Sequence, residues 1–519
     1  MQFNEFVNNI IEQRKLPKNF FNPNVHDICP IKDLKNSKLA IDKIKKHIDD
    51  KSNIVVYADV DIDGVTATLI AYQWLKNINA NVTYVYHEKN KGHGVIANKV
   101  PINDFLIVVD SSSSITKKLS ELIESGTTKD ILIIDHHEID GEIYKSDNIT
   151  VVNPFQVGCN YGNRNASGAL LTWRIFDYLE KTYYKTNYAN GLMYLASMSI
   201  VSDSMGVDSM ENRYYFYAGN RFDTPAFKAI DSYKAQYPSK QLALAVHPLL
   251  NATIRDGNMG LVFEFLLSED VGIAKLLLKQ IQDIYNRNKE EVKVAMGDMK
   301  ILYEDDTFMI IMSDFKLRGY LATRVENKFG KSTLALSTTA KPIRGKMLYT
   351  GSGRALEDIN LKSILEETGL VSCMGHQQAF GVSIEEKNLL KLTKALEDIE
   401  IPTYEIETDL YVDTDDIDVN EIMFVNYCNF LTGNGFKSLL YKIDGLAIKK
   451  FGASKSGNKY FTDNNEIRYS QYNDIWLNKY SVDEMVDVTG TLTLENWFSR
   501  EQLVMVVEKI EESSDDGWD

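Results

Sequence analysis

Apolar runs of five residues alternate with helical stretches between Ile54 and Val207. The strand-like runs are IVVYA (54–58), VTYVY (82–86), FLIVV (105–109) and ILIID (131–135). Alternation of strands and helices is typical of a parallel sheet with helical crossovers. The pattern therefore predicts an α/β domain over residues 1–270.

Polar residues that can bind metal follow three of these runs. They are Asp59, Asp61, Asp63, Asp110, Asp135, His136 and His137. The first three acids recur every second residue, which places their carboxylates on one face of an extended chain. Because the carboxyl ends of parallel strands meet at one edge of a sheet, we expect all these groups to gather there.

A further acid, Asp203, ends the apolar helical stretch LMYLASMSIVSD (192–203). The helix dipole disfavours a carboxylate at a helix C-terminus, so Asp203 indicates a nearby cation. A solvated, Asp-rich turn is the alternative interpretation of the first three acids taken alone.

Carboxylates combined with imidazoles suit Mn²⁺ or Mg²⁺, and the imidazoles favour Mn²⁺. The number of acids predicts two ions that share a bridging carboxylate. Such a pair activates water and stabilises an in-line displacement at phosphorus.

The remaining chain is predicted to form a connecting helix (271–299), a second α/β domain (300–398), a β-rich region (399–510) and an acidic tail (511–519). The second domain contains the strands TFMIIM (307–312) and STLALST (332–338), and glycine-marked turns at GSGRAL (351–356) and MGHQQAFG (374–381). Short strands after residue 440 are typical of a β-barrel, of which the oligonucleotide-binding fold is one candidate.

Composition narrows the function classes. The net charge of −16 argues against a protein that coats nucleic acid by bulk attraction, so a phosphate-binding surface has to be a local groove. Four cysteines without a CxxC pair predict neither a zinc knuckle nor a disulfide framework, and a reducing cytoplasm fits best. The sequence has no run long enough to span a membrane and no signal-peptide pattern at its start.

The triplet Asp135-His136-His137 and the segment DVDIDG (59–64) resemble motifs of the DHH phosphoesterase superfamily. Over most of its length the chain resembles the RecJ-like exonucleases of that superfamily, which degrade single-stranded DNA from the 5′ end. The other similar segments are RKLPKNFFNP (14–23), KGHGV (91–95), VNPFQ (152–156), NASGALLTWRIF (165–176), GYLATRVENKFGKSTLAL (319–336), GSGRAL and MGHQQAFG.

The resemblance implies a role for each candidate residue of the metal site. Asp61 and Asp63 would bind different ions, Asp110 would bridge them, and His136 and Asp203 would complete the second site. Asp59 would be a ligand or lie directly behind one. His137 would contact the scissile phosphate or protonate the leaving oxygen, and Asp135 would orient a histidine.

In the second α/β domain the resemblance implies a pocket for substrate phosphates. Its residues would be Arg324, Ser352, Arg354, Gly375 and His376. Three segments depart from the family pattern, namely Met374-Gly375, Ala379-Phe380-Gly381 and Ser111–Ser114.

These features predict a two-metal exonuclease that releases mononucleotides from single-stranded DNA in recombination, repair or replication. The metal site and phosphate pocket are both expected to function without the chain beyond residue 400. The alternatives are a DHH phosphodiesterase for short oligonucleotides or cyclic dinucleotides, and a non-catalytic replication scaffold. The acidic tail is expected to be solubilising, to compete with DNA, or to dock a replication or recombination protein.

Overall fold

The structure, a computed structural model, describes residues 3–87, 94–230, 238–339, 347–356, 359–375, 377–397, 408–415, 417–453, 459–470, 479–497 and 500–513. The chain forms two compact units. Met1–Tyr285 pack with Asp418–Leu439, and Asn286–Ile417 pack with Leu440–Asp519. Among the described residues, no helix has both the length and the apolar character that a membrane span requires.

The strands and helices have the following bounds. The strands are β1 (Ile54–Tyr57), β2 (Val82–Val85), β3 (Phe105–Val109), β4 (Asp130–Ile134), β5 (Ile149–Val152), β6 (Lys300–Glu304), β7 (Phe308–Met312), β8 (Ser332–Thr338), β9 (Leu348–Arg354), β10 (Val371–Gly375), β11 (Ala379–Glu385), β12 (Leu410–Tyr411), β13 (Tyr441–Ala447), β14 (Lys450–Ala453), β15 (Lys459–Thr462), β16 (Arg468–Ser470), β17 (Met485–Trp497) and β18 (Arg500–Glu512). The α-helices are α1 (Phe3–Gln13), α2 (Ser37–Asp49), α3 (Ile62–Asn77), α4 (Thr116–Glu124), α5 (Gly168–Leu179), α6 (Tyr188–Gly191), α7 (Met193–Ser202), α8 (Met210–Gly219), α9 (Pro225–Ala229), α10 (Pro238–Gln241), α11 (His247–Arg255), α12 (Met259–Leu266), α13 (Val271–Asp298), α14 (Arg318–Phe329), α15 (Leu361–Glu367), α16 (Leu389–Glu397) and α17 (Val419–Cys428).

The first unit contains a five-stranded sheet with the order β2-β1-β3-β4-β5, and every pair of neighbouring strands is parallel. This confirms the predicted parallel sheet. All residues of β1 and β3 are buried, which is why both strands are continuously apolar rather than alternating. The fifth strand, β5, is not among the predicted runs, although its sequence ITVV is rich in β-branched residues.

Three helices bring their ends to the carboxyl edge of this sheet. Helix α3 follows β1 directly and packs against α5 and α7. Backbone N–H groups at the start of α5 bond to Asp63 in the first turn of α3, and Asp203 at the end of α7 lies beside His136, which follows β4. The sheet edge and the helix ends together therefore define one polar site.

A segment from far downstream completes the first unit. Within residues 418–439, the Phe424 ring lies 5.0 Å from the Phe3 ring of α1, and the Tyr427 hydroxyl donates a 2.7 Å hydrogen bond to the Phe21 carbonyl. Arg14 Nη1 donates a 2.8 Å hydrogen bond to the Lys437 carbonyl. The compact units therefore do not follow the boundary expected near residue 399, because α17 packs its aromatic side chains against α1 of the first unit.

In the second unit, a six-stranded sheet has the order β10-β11-β9-β8-β7-β6. The prediction that GSGRAL forms a turn is wrong, because its first four residues end strand β9 between β8 and β11. A Cβ on Gly351 would lie 2.0 Å from the Ala335 carbonyl oxygen, and one on Gly353 would lie 2.4 Å from Phe380 Cζ. These glycines serve close packing against the neighbouring strands rather than chain reversal.

The same unit contains a seven-stranded sheet with the order β12-β13-β17-β18-β16-β15-β14. The strands expected beyond residue 440 are therefore present, and β17 and β18 form a 13-residue antiparallel pair. The closed oligonucleotide-binding topology stays a prediction. Of the acidic tail, residues 514–519 lie outside the described residues.

His247, in the first turn of α11, should make the stability of the protein sensitive to acid. Burial lowers its pKa from 6.5 to about 3, so the unfolded chain binds a proton below pH 6.5 that the folded chain does not. Acidification therefore favours unfolding, by ~2 kcal/mol between pH 6.5 and pH 5 at about 1.4 kcal/mol per pH unit. Denaturant unfolding at the two pH values should show a change in the free energy of unfolding that is ~2 kcal/mol less favourable in the wild type than in His247→Leu, because all other titrating groups are the same in both proteins. His26→Leu, which removes an exposed histidine, is the matched control; an equal loss in all three proteins would contradict the assignment.

Candidate metal centre

The turn after β1 fixes the positions of Asp59, Asp61 and Asp63. Asp61 is the N-cap of α3, and its Oδ1 accepts a 3.0 Å hydrogen bond from the Gly64 backbone N–H. A Cβ on Gly64 would lie 2.6 Å from the Asp59 carbonyl oxygen, so glycine is required for this tight turn. Asp59 is fully buried, and its Oδ1 accepts a 3.0 Å hydrogen bond from the Gly94 backbone N–H.

Asp63 is held by the N-terminus of a second helix. Its two carboxylate oxygens accept hydrogen bonds from the backbone N–H groups of Gly168 (2.7 Å) and Ala169 (2.8 Å), at the start of α5. These donors are ones that a helix leaves without intrahelical partners, and the helix dipole favours negative charge there. Helix α5 thus fixes the orientation of a carboxylate from a segment about 100 residues earlier.

Asp110, directly after β3, lies at the centre of the acidic group. It adopts a left-handed backbone conformation with φ of 61°, and a Cβ on Gly168 would lie only 2.7 Å from its Oδ1. Oδ1 is buried and accepts no hydrogen bond from any described residue. A buried carboxylate oxygen without such a donor is costly unless a cation lies near it.

His136 contacts three acids from three different elements. Its Nε2 lies 3.1 Å from Asp110 Oδ1, 3.3 Å from Asp203 Oδ2 and 3.6 Å from Asp63 Oδ2. Asp203 is the C-cap of α7, as the sequence predicts. Both carboxylates contributed by the helices α3 and α7 therefore meet the imidazole that follows β4.

The structure brings the six expected metal ligands together. Their potential ligand atoms form three groups, each with all atoms within 4.8 Å of one another: Asp59, Asp61 and Asp110; Asp63, His136 and Asp203; and Asp110, His136 and His137. Asp110 links the first group to the third, and His136 links the third to the second. Two adjacent positions with a shared carboxylate are the arrangement that two divalent ions need.

Asp135 belongs to none of these three groups and holds the loop that carries both histidines. Its Oδ1 accepts hydrogen bonds from the backbone N–H groups of His136 (2.7 Å) and His137 (3.1 Å), and lies 2.8 Å from His137 Nδ1. Its Oδ2 accepts a 2.9 Å hydrogen bond from the Ser113 N–H. His137 is thereby oriented at the rim, with 39% of its side chain exposed.

The electrostatics of the cluster favour a cation. Burial, with the nearby Asp203 and Asp61 carboxylates, raises the pKa of Asp63 to about 8. Burial and the charges of Asp63 and Asp61 raise the pKa of Asp110 well above its ordinary value. Ions of +2 charge among these oxygens would reverse both shifts, and the carboxylate-rich donor set matches Mn²⁺ or Mg²⁺. The residues present therefore fit the predicted metal pair.

The pKa values of Asp135 and His137 are also shifted, each by the charge of the other. Burial would raise the pKa of Asp135, but the hydrogen bond and charge of His137, together with the charge of His136, lower it below its ordinary value. Burial would lower the pKa of His137, but the hydrogen bond and charge of Asp135 raise it to about 10. The two side chains thus form a strongly stabilised ion pair at the rim.

The residues expected to bind phosphate belong to the second unit. Arg354, at the end of β9, donates from Nη1 to the Gly353 carbonyl (2.7 Å) and from Nε to Thr323 Oγ1 of α14 (3.2 Å). Arg324 donates to the Tyr320 hydroxyl on the same helix. Ser352 lies in β9, Gly375 ends β10, and His376 lies outside the described residues.

Sequence reasoning missed the backbone groups that hold the acids. The Gly94, Ser113, Gly168 and Ala169 N–H groups all donate to carboxylates of this site. A signal for α5 existed, because Ser167 precedes an apolar helical run and its hydroxyl accepts from Leu170 N as an N-cap. Which carboxylate the helix would hold could not be read from the sequence, because the two segments meet only in the folded chain.

Comparison with known proteins finds a family model that matches part of the chain. Residues 53–197 match the model of the DHH family, N-terminal domain. YorK, an SPbeta prophage-derived protein of Bacillus subtilis (strain 168) assigned by name as a single-strand DNA-specific exonuclease, is 26% identical over 420 residues, which cover 73% of this chain and 71% of YorK. The single-stranded-DNA-specific exonuclease RecJ of the same organism is 23% identical over 514 residues, which cover 92% of this chain but only 63% of that RecJ.

A solved structure shares the fold. The crystal structure of RecJ in complex with Mn²⁺ from Thermus thermophilus matches with a TM-score of 0.76 at 17% identity, covering 98% of this chain and 76% of that one. RecJ from that organism has also been solved in complex with Mg²⁺, with a TM-score of 0.71 to this chain at 16% identity. At these identities the match shows the fold alone.

Gly168→Ala should weaken metal binding by at least ~10-fold, as expected when a group that positions a ligand is displaced. The added Cβ would lie 2.7 Å from Asp110 Oδ1 and 3.0 Å from its Cα, so Asp110 would have to shift. Calorimetric titration with Mn²⁺ would measure the change. Gly191→Ala is the matched control, because that helical glycine has no atom within 4 Å of the added Cβ. Equal Mn²⁺ affinity in both variants would contradict the role of Gly168.

Proposed function

We propose that this chain, whose residues 53–197 match the DHH family, is a metal-dependent exonuclease that degrades single-stranded DNA from its 5′ end to mononucleotides. The observation that carries the proposal is the cluster of acids around Asp110 and His136, which offers two adjacent positions for divalent ions. The names of the relatives indicate the substrate class, and the close approach of the acids supports their proposed roles as ligands.

Two Mn²⁺ or Mg²⁺ ions at these positions would supply an activated water and stabilise charge on the phosphate. Asp61 and Asp63 would bind different ions, Asp110 would bridge them, and His136 and Asp203 would complete the second position. Asp59 lies in the same group as Asp61 and Asp110 and could therefore bind the first ion. Its Oδ1 already accepts a hydrogen bond from the Gly94 N–H. The N–H groups of α5 keep Asp63 pointed into the cluster.

His137 is proposed to act on the scissile phosphate or on the leaving oxygen. Asp135 bonds to its Nδ1, and Nε2 is the ring nitrogen that would act on a substrate. As a cation it would stabilise negative charge or donate a proton to the departing 3′ oxygen. Asp135 orients the ring rather than binding metal, which its contacts with two backbone N–H groups support.

The second unit is proposed to hold the strand. Arg324, Ser352, Arg354, Gly375 and His376 would contact substrate phosphates, with arginine suited to bidentate contact. A DHH phosphodiesterase for short oligonucleotides or cyclic dinucleotides needs only two α/β domains. The additional seven-stranded sheet after residue 409 therefore supports a longer substrate, for which its proposed oligonucleotide-binding topology would supply a groove.

The intact ligand set argues against a non-catalytic scaffold. We further propose a role in DNA recombination, repair or replication, in a reducing cytoplasm where the four cysteines stay unpaired. The acidic tail is proposed as a contact for a replication or recombination protein.

Digestion of thirty-nucleotide strands labelled at either end would test the proposal. With Mn²⁺ present, a 5′ label should leave at once as a mononucleotide, while a 3′ label should remain on progressively shorter strands. Asp110→Ala should retain less than about a tenth of the wild-type rate, because it removes the shared ligand.

Other outcomes of this digestion would favour the alternatives. Cleavage of dinucleotides alone would support the short-substrate phosphodiesterase, and shortening from the 3′ end would reverse the proposed polarity. A protein that binds Mn²⁺ but cleaves nothing would support the scaffold.

Arg354→Ala should reduce any preference for a 5′-phosphorylated strand over a 5′-hydroxyl strand, because it removes charge-assisted contacts to the terminal phosphate. Competition between the two strands would measure the preference. Arg354→Lys keeps the charge but loses the planar fork, so it should lie between wild type and alanine. Lys328→Ala removes a cation near the end of the neighbouring helix α14 and serves as control. An unchanged preference in Arg354→Ala would contradict this role.

A further inference from the structure

Asp203 is the one expected ligand that depends on a helix C-terminus. The sheet edge carries Asp59, Asp110 and His136 on short connections, but Asp203 begins the loop 203–209 that leaves α7. The next residue, Ser204, adopts a left-handed conformation with φ of 53°. The position of the Asp203 carboxylate therefore depends on what holds this loop.

The loop is bonded to residues that lie about 230 positions downstream. The Val207 N–H donates a 2.7 Å hydrogen bond to the Asn434 carbonyl, and Asn434 Nδ2 donates a 3.2 Å hydrogen bond to the Ser204 carbonyl. Gly435, with φ of +82°, packs so closely that a Cβ there would lie 2.4 Å from Asp208 Oδ1. Two hydrogen bonds and one close contact therefore connect residues 434 and 435 to both the beginning and the end of the loop.

A buried arginine joins the loop to this downstream segment. Arg213 Nη1 donates to the carbonyls of Val207 (3.0 Å) and Leu431 (3.3 Å), and Nε donates to the Phe20 carbonyl (2.9 Å). The guanidinium carbon lies 3.8 Å from the centroid of the Phe20 ring, and the residue is fully buried. Carbonyl acceptors and an aromatic face stabilise this buried cation, which fixes three separate chain segments to one another.

The far side of the loop contacts the segment that leads into α5. Asn212 Nδ2 donates to the carbonyls of Gly206 (2.9 Å) and Asn165 (2.8 Å), and Asn212 Oδ1 accepts a 2.8 Å hydrogen bond from Asn163 Nδ2. The same segment continues to the N–H groups that hold Asp63. A shift of the loop would therefore disturb two of the acids around His136 together.

We propose that residues 431–435, which follow the second α/β domain in the sequence, position Asp203 for metal binding. The inference rests on the proposed metal pair. It revises the expectation that the metal site functions without the chain beyond residue 400, because a protein ending there would lack the segment that holds the loop. The metal site would then be complete only after the chain has returned to the first unit.

Gly435→Ala should weaken Mn²⁺ binding about 10-fold or more relative to Gly257→Ala. Both glycines have a positive φ, +82° and +89°, but a Cβ on Gly257 meets no atom within 4 Å. The backbone strain is therefore matched, and only the contact with Asp208 differs. Calorimetric titration and Mn²⁺ electron paramagnetic resonance would measure binding without reference to DNA cleavage. Equal affinities would overturn the proposal.

A second change should restore binding. Asp208→Ala removes the two atoms that lie closest to the new methyl group, at 2.4 and 2.5 Å, but keeps Cβ at 3.0 Å, so Gly435→Ala/Asp208→Ala should recover part of the lost Mn²⁺ affinity. A general loss of structure would not be recovered in this way. No recovery, with an unchanged melting temperature of the metal-free protein, would count against positioning through this contact.

Two further variants keep the test decisive if Gly435→Ala does not fold. Asn434→Ala removes one exposed hydrogen bond to the Ser204 carbonyl and should weaken Mn²⁺ binding about 3-fold, the effect of a typical hydrogen bond of under 1 kcal/mol. Its control, Asn148→Ala, removes an equally exposed bond to the Lys129 carbonyl and should leave affinity unchanged. Equal affinities in this pair would overturn the proposal.

Asp203→Ala distinguishes a failure of the positioning role from a failure of the proposed metal site. If Asp203→Ala binds Mn²⁺ as the wild type does, the metal assignment fails. If Asp203→Ala loses affinity while Gly435→Ala and Asn434→Ala match their controls, only the positioning role fails.

Discussion

Like-charge repulsion at the carboxyl edge of the first sheet is the constraint on which the rest of this structure depends. Asp63, Asp110 and Asp203 approach one imidazole within 3.6 Å, and Asp63 and Asp110 are buried. Buried carboxylates at such distances are stable only with protons or cations among them. Backbone N–H groups at the start of α5 supply part of the compensation, and divalent ions would supply the remainder.

The same constraint explains why the surrounding backbone is unusual. Gly64 and Gly168 lie where any side chain would strike Asp59 or Asp110, and Asp110 itself has a left-handed φ. Bringing so many carboxylates together requires close approach of several chain segments, and close approach excludes side chains. These backbone conformations raise the free energy of the folded chain, and the packing of α3 against α5 and α7 offsets this increase.

The acidic site also depends on residues 418–439, which lie more than 200 positions after Asp203 in the sequence. They bury aromatic side chains against α1 and the turn at Phe20, and they bond to the loop that carries Asp203. Stability of the first unit and geometry of its acidic site are therefore linked through one returning stretch of chain. A division of the protein into independent consecutive domains would miss this link.

The sequence by itself determined the parallel sheet, the long helix α13 and the identity of the acids, because buried strands, helical periodicity and acids after strands are local patterns. Only the tertiary structure decided that GSGRAL continues a strand, that α5 holds Asp63 and that residues 431–435 contact the Asp203 loop. The reason is that a glycine permits a turn and a close contact equally well, and a backbone N–H has no sequence signature of its acceptor. The role of each glycine and the acceptor of each N–H depend on which distant segment packs beside it. The packing of the whole unit determines that segment.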